Sequence, residues 1–126
     1  MELSVVISTY NAVAWLEKVL WGFAAQSYRD FELVIADDGS GPETRALLAA
    51  YGAEFPDRLL HVWHEDRGFQ KSAILNRAIE AARTPYLVFT DGDCIPRRDF
   101  LAVHAARRRR GRFLSGGYVK LPMALS

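Results

Sequence analysis

The chain is expected to fold as an α/β domain, a mostly parallel sheet flanked by helices, and three observations lead there. Four short apolar runs, Leu3–Ile7, Phe31–Ala36, Leu59–Trp63 and Tyr86–Phe89, have the near-continuous hydrophobicity of strands buried on both faces. Segments with helical spacing separate them, and the connections are short, which favours right-handed βαβ units. Polar clusters follow the runs where a parallel strand would emerge at the carboxyl edge of the sheet, the edge at which open α/β sheets bind ligands.

Leu3–Ile7 reads as the first strand, and Leu16, Val19, Leu20 and Phe23 then give a helix over Ala12–Gln26. After the second strand, Pro42 suits a first helical turn, and Leu47, Ala50 and Tyr51 supply an apolar face. Leu59–Trp63 is the third strand. Leu75, Ala78, Ile79 and Ala82 mark a third helix, which Thr84-Pro85 ends before the fourth strand. Pro96 to Arg110 reads as a turn and a fourth helix, and Phe113–Val119 as a fifth strand. The last residues, Pro122 to Ser126, supply no closing element, so residues 1–126 are expected to be the first part of a larger domain.

Half of the 126 residues are apolar, enough for one real core. Lysine plus arginine number 16 and aspartate plus glutamate 15, so nothing in the net charge of +1 points to nucleic acid. The single Cys94 excludes an internal disulfide and fits a reducing compartment, so a cytoplasmic chain is expected. No apolar run approaches the roughly 20 residues that span a bilayer. Peripheral attachment at the inner face of a membrane stays open, with Arg107–Arg110 as a second-choice headgroup or phosphate patch after a solvated helix end.

The chemistry concentrates after the strands. Ser8-Thr9-Tyr10-Asn11 offers hydroxyls, an amide and a ring for a base or ribose, or alternatively a helix cap. Asp37-Asp38-Gly39-Ser40 fits a turn, but two adjacent acids also suit a nucleoside, since a carboxylate accepts from a ring N–H or a ribose hydroxyl. In Asp91-Gly92-Asp93 an extended backbone would aim both carboxylates at one ion, and Gly92 would let a ligand approach the backbone. Mg²⁺ or Mn²⁺ suits hard oxygen ligands beside a diphosphate. Lys71, Asn76 and Arg77, early in the third helix, would add cations at a helix N-terminus facing the same edge. Cys94 is expected to be a packed thiol, and His61, His64 and His104, which lack metal-ligand spacing, to fill strand or surface roles.

Ser4-Val5-Val6-Ile7-Ser8-Thr9-Tyr10-Asn11, Phe31 through Ser40, Asn76-Arg77-Ala78-Ile79 and Asp91-Gly92-Asp93, in that order, resemble the family 2 inverting glycosyltransferases of GT-A fold. Asp93-Cys94-Ile95-Pro96 followed by Arg97-Arg98-Asp99-Phe100 resembles a bacterial subgroup. The resemblance implies transfer of a sugar from a nucleotide-sugar donor, commonly a UDP-sugar, to a glycan, lipid-linked or other acceptor. It implies nucleoside contacts from Ser8, Thr9, Tyr10 and Asp38, and metal ligation by Asp93 first and Asp91 second. The family's catalytic base would lie beyond residue 126, so a non-catalytic nucleotide- or glycan-binding module is the alternative. A sugar nucleotidyltransferase or an NAD dehydrogenase would need a glycine-rich loop after the first strand, and Ser8–Ala14 contains no glycine.

Overall fold

A computed structural model describes residues 3–68, 70–92 and 94–109. Its elements run β1 (Leu3–Thr9), α1 (Val13–Ala24), β2 (Phe31–Asp37), α2 (Pro42–Tyr51), β3 (Leu59–Trp63), α3 (Lys71–Ala81), β4 (Tyr86–Asp91) and α4 (Phe100–Arg109). The expected strands and helices are all present up to α4. The fifth strand proposed for Phe113–Val119 lies outside the described residues.

The strands form a sheet in the order β3-β2-β1-β4, and each neighbouring pair is parallel. Alternate residues of each strand point to opposite faces, and each face has its own apolar set. Leu3, Val5 and Ile7 of β1 and Phe31, Leu33 and Ile35 of β2 pack with Leu16, Val19, Leu20 and Phe23 of α1. Leu48 of α2 and Leu101 and Ala105 of α4 join the same cluster. On the other face Val6, Val34 and Ala36 meet Ile74 and Ala78 of α3. Burying one such side chain stabilises the fold by about 1.5–3 kcal/mol, so each helix is held by the stripe its spacing announces.

The crossovers explain why α3 stands apart. From β1 to β2 to β3 the chain moves across the sheet in one direction, and α1 and α2 lie on one face. To reach β4 it must return past β2 and β1, and a right-handed crossover in that direction places α3 on the opposite face. The reversal makes a switch point between the carboxyl ends of β1 and β4, where a crevice opens.

Two buried polar networks fix the ends of this frame. At the amino edge, Glu32 is fully buried. It accepts from Ser4 Oγ at 2.6 Å and from the backbone N–H and Nε of Arg83, each at 2.7 Å. Burial alone would raise its pKa, but the Arg83 and Ser4 donors outweigh it and hold the carboxyl below the ordinary carboxylate value. Beyond β4, Gln26 accepts the Leu101 N–H and donates to the carbonyls of Arg97 and Gly22. A side chain at Gly22 would meet Pro96 Cδ at 2.6 Å, so glycine lets the β4–α4 segment lie directly on α1. The segment that follows the acidic triplet is thereby fastened to the core.

Candidate nucleotide-sugar site

A cavity of about 490 Å³ opens at the switch point. That volume lies within the range of small-molecule sites, roughly 300–1,000 Å³. It is lined by Ser8, Thr9, Tyr10, Ala12 and Trp15 from β1 and the start of α1, and by Ala36 and Asp38 from the end of β2. Asp66, Gly68, Lys71 and Ile74 close it from the β3–α3 side, and Asp91 and Gly92 from β4. Seven of the residues expected from the sequence therefore converge here: Ser8, Thr9, Tyr10, Asp38, Lys71, Asp91 and Gly92.

The floor is built from the tips of β1 and β4, which pair Ser8 with Asp91. Ser8 Oγ donates to Asp91 Oδ1 at 2.7 Å, and Lys71 Nζ reaches the same oxygen at 3.1 Å. Beside them Thr9 Oγ1 is buried with no hydrogen-bond partner among the described residues. An unsatisfied buried hydroxyl costs about 1–3 kcal/mol, and its place in the cavity lining is where a ligand atom would satisfy it. Gly92 lies against it. An added Cβ would stand 3.0 Å from Ser8 O and 3.1 Å from Thr9 Oγ1, so glycine is what keeps the floor open.

Asp38 forms the deep polar wall and is only 7% exposed. Its Oδ1 lies 2.6 Å from His64 Nε2, and its Oδ2 accepts the Gln70 N–H at 2.9 Å. Gln70 is the N-cap position of α3, so the carboxylate also sits where a helix dipole favours negative charge. Tyr10, 48% exposed, stands at the mouth and donates through its hydroxyl to Asp66 Oδ2 at 2.5 Å. That bond raises the Tyr10 pKa and lowers that of Asp66, whose other oxygen accepts the Gly68 N–H. Trp15 completes the rim with an exposed ring.

The remaining expected site residues stand elsewhere. Asp37 is fully buried and does not line the cavity: Oδ1 accepts the Ser40 N–H at 2.9 Å and Oδ2 lies 2.7 Å from His61 Nε2. Burial would raise its pKa, but the His61 and Ser40 bonds bring it below the ordinary value. Asn11 adopts a left-handed φ of 45° and ties two loops together, its N–H to Ser40 Oγ and its Oδ1 from the Gly41 N–H. Asn76 and Arg77 are exposed on α3, with Arg77 Nη1 3.5 Å from Trp63 O. Asp93 lies outside the described residues, while Cys94 is buried as expected.

The sequence reading missed His61, His64, Asp66 and Trp15. His104 is buried on α4, against expectation, whereas His61 holds the expected strand position in β3; what was not foreseen is the part His61 and His64 play beside the cavity. They orient the two adjacent acids, a pairing made by the neighbouring positions of β2 and β3. The signal for Trp15 was available: a large aromatic at the start of a helix but off the apolar stripe of Leu16, Val19, Leu20 and Phe23.

The glycosyl transferase family 2 model matches residues 4–118. The chain belongs to that family. The validoxylamine A glucosyltransferase of Streptomyces hygroscopicus subsp. jinggangensis is 38% identical over 91 residues, covering 71% of this chain and 21% of that protein. S. aureus TarS residues 1–349, solved in complex with UDP-GlcNAc, superposes with a TM-score of 0.77 at 26% identity, over 87% of this chain and 32% of that one. The mannosyltransferase PcManGT from Pyrobaculum calidifontis, solved with GDP-Man and Mn²⁺, gives a TM-score of 0.70 at 31% identity, over 80% of this chain and 30% of that one. The chain thus spans about a fifth of the length of that curated relative and about a third of those solved structures. The fold is that of the GT-A glycosyltransferases.

Among the described residues no group of three or more His, Cys, Asp or Glu side chains is placed to hold a metal ion. Asp91 nevertheless fits a cation: its carboxylate lines the cavity and already holds the ammonium of Lys71.

Proposed function

We propose that this chain is the donor-binding part of a glycosyltransferase that moves a sugar from a nucleotide-diphosphate sugar, a UDP-sugar, to a glycan, lipid-linked or other acceptor with inversion. The observation that carries this reading is the unsatisfied Thr9 hydroxyl in the cavity between the Asp38 carboxylate and the Asp91–Lys71 pair. UDP-GlcNAc and GDP-Man in the similar solved structures support a nucleotide-sugar ligand.

In this reading Asp38 accepts the ring N–H of uracil, held in orientation by His64 and the Gln70 N–H. Tyr10 offers its ring to the base, and the Ser8 and Thr9 hydroxyls serve the ribose end. Lys71, at the start of α3, brings positive charge toward the diphosphate. Asp91 and Asp93 would hold Mn²⁺ or Mg²⁺, and that ion when bound neutralises negative charge on the departing nucleoside diphosphate. A reducing compartment suits the buried thiol of Cys94, which supports a cytoplasmic location, and peripheral attachment at the inner face of a membrane is compatible with it.

A second reading, a non-catalytic nucleotide- or glycan-binding module, is favoured by one observation. Each cavity carboxylate is already engaged: Asp38 by His64, Asp66 by Tyr10 and Asp91 by Ser8 and Lys71. Among the described residues no cavity carboxylate is left without a donor to take an acceptor's proton, so these residues are assigned donor binding and not acceptor deprotonation.

A thermal-shift panel of UDP, CDP, GDP and UDP-sugars, with and without Mn²⁺, tests the proposal. Ligands that bind only the folded state raise its melting temperature. UDP and a UDP-sugar should do so most strongly with Mn²⁺. A panel in which no nucleotide moves the transition would overturn it. Acceptor glycosylation by the chain alone, at the rate of an intact family enzyme, would exclude the binding-module reading.

A further inference from the structure

Lys71 and Asp91 form the one described ion pair that crosses the cavity floor, from the first residue of α3 to the last residue of β4. Nζ and Oδ1 are 3.1 Å apart, and their side chains are 40% and 38% exposed. Lys71 therefore occupies the position at Asp91 that a metal ion would contest. Ser8 Oγ donates to the same oxygen at 2.7 Å, so the carboxylate keeps its orientation when the ammonium leaves. The lysine ammonium is a compact charge on a flexible four-carbon stem, suited to two positions, whereas the strand-end carboxylate is not.

We propose that Lys71 exchanges partners: it neutralises Asp91 when the site is without metal and moves to the donor diphosphate when a divalent ion binds Asp91. The proposal rests on the donor-binding reading above and adds to it a competition between the protein's own cation and the metal. Like charges at one carboxylate disfavour joint occupancy, so the ion expels the ammonium. A sugar diphosphate carries two negative charges, which cancel those of the divalent ion, and the helix N-terminus from which Lys71 springs favours the same anion. The Asp91–Lys71 pair contributes no net charge before or after the exchange. Without ligand, the acidic edge is thus stabilised from within.

The exchange predicts responses of opposite sign from one substitution. Mn²⁺ binding in the absence of nucleotide is titrated by electron paramagnetic resonance, and UDP binding in saturating Mn²⁺ by calorimetry. The 126-residue chain is compared with Lys71→Met and Lys71→Arg. Lys71→Met should bind Mn²⁺ alone about two- to fivefold tighter, the value of losing a competing exposed ion pair. It should bind UDP about tenfold weaker through loss of a charge-assisted contact. Lys71→Arg, which keeps the charge, should stay near the parent in both. A structural role alone would move neither measurement in the tighter direction. Unchanged or weaker Mn²⁺ binding by Lys71→Met, or no Mn²⁺ binding by either chain, overturns the exchange. Failure of the parent to bind UDP would instead sink the donor-binding reading and leave the Mn²⁺ comparison to decide the exchange.

Discussion

His64 Nε2 lies 2.6 Å from Asp38 Oδ1, and this contact joins the end of β3 to the loop after β2 across the back of the cavity. With the Gln70 N–H on the other oxygen, it fixes which lone pairs of Asp38 face the ligand.

That orientation predicts base selectivity. Uracil presents a ring N–H to a carboxylate, whereas cytosine presents an acceptor at the same position and is repelled. Calorimetry should show UDP bound at least about tenfold more tightly than CDP, the value of one good hydrogen bond against an unmet one. Asp38→Asn should erase the preference, and His64→Ala should reduce UDP affinity by about 0.5–1.5 kcal/mol. Equal binding of UDP and CDP by the parent would remove Asp38 from base recognition.

Gly92 is expected to tolerate no side chain. A Cβ there would stand 3.0 Å from the Ser8 carbonyl, part of a strand paired on both sides, which resists the shift of that carbonyl needed to admit it. Gly92→Ala should cost about 1–3 kcal/mol of stability in urea unfolding and should close the floor to UDP. A variant with parental stability and UDP affinity would show that the floor has slack.

Gln26 lies far from the cavity in sequence but holds the segment that follows Asp91 and Gly92. Gln26→Ala removes three hydrogen bonds at a side chain 3% exposed, and should cost about 2–3 kcal/mol. Gln26→Glu still accepts from the Leu101 N–H but turns its second oxygen toward two carbonyls, so it should be no better. Both should lose the Mn²⁺-dependent part of UDP binding before the Mn²⁺-independent part. Losing the two parts equally would assign Gln26 to stability alone.

The buried Glu32 gives a pH signature. Its pKa is lowered on folding from an ordinary value of 4.5, so its ionised form stabilises the fold at and above that pH. The stabilisation is lost as pH falls through the lower folded-state value. Glu32→Gln should therefore be about 1–3 kcal/mol less stable than the parent at neutral pH, with the gap narrowing below about pH 4.5. A gap constant from pH 7 to pH 3 would mean that folding does not shift the Glu32 pKa.

The local part of this fold was legible because each strand is an unbroken apolar run and each helix repeats its stripe. The leucines and phenylalanine of α1 are buried as their spacing requires. That residues at strand ends, such as Thr9 and Asp91, would share one cavity was legible too, since the strands fix where they emerge. What the chain order hides is pairing over long separations. Asp37 and Asp38 are adjacent, yet the turn at Ser40 buries one and sends the other to the cavity. Their histidines lie 24 and 26 residues away and meet them only because β2 and β3 are parallel neighbours. Asn11, readable as a helix cap or a ligand contact, instead bridges two loops, while Ala12 takes the N-cap of α1 without a side-chain bond.

Strand β2 also divides labour along its length. Glu32 stands at its beginning and Asp38 just past its end, six positions apart, or roughly 20 Å of extended chain. Substitutions more than about 7–10 Å apart that share no partner usually combine additively. Changes to the Ser4–Glu32–Arg83 network and changes to the loops around Asp38 and Asp91 should therefore be selectable independently. A library that diversifies the loops at the carboxyl edge could hold those three residues constant, retaining one scaffold while its ligand preference is rewritten.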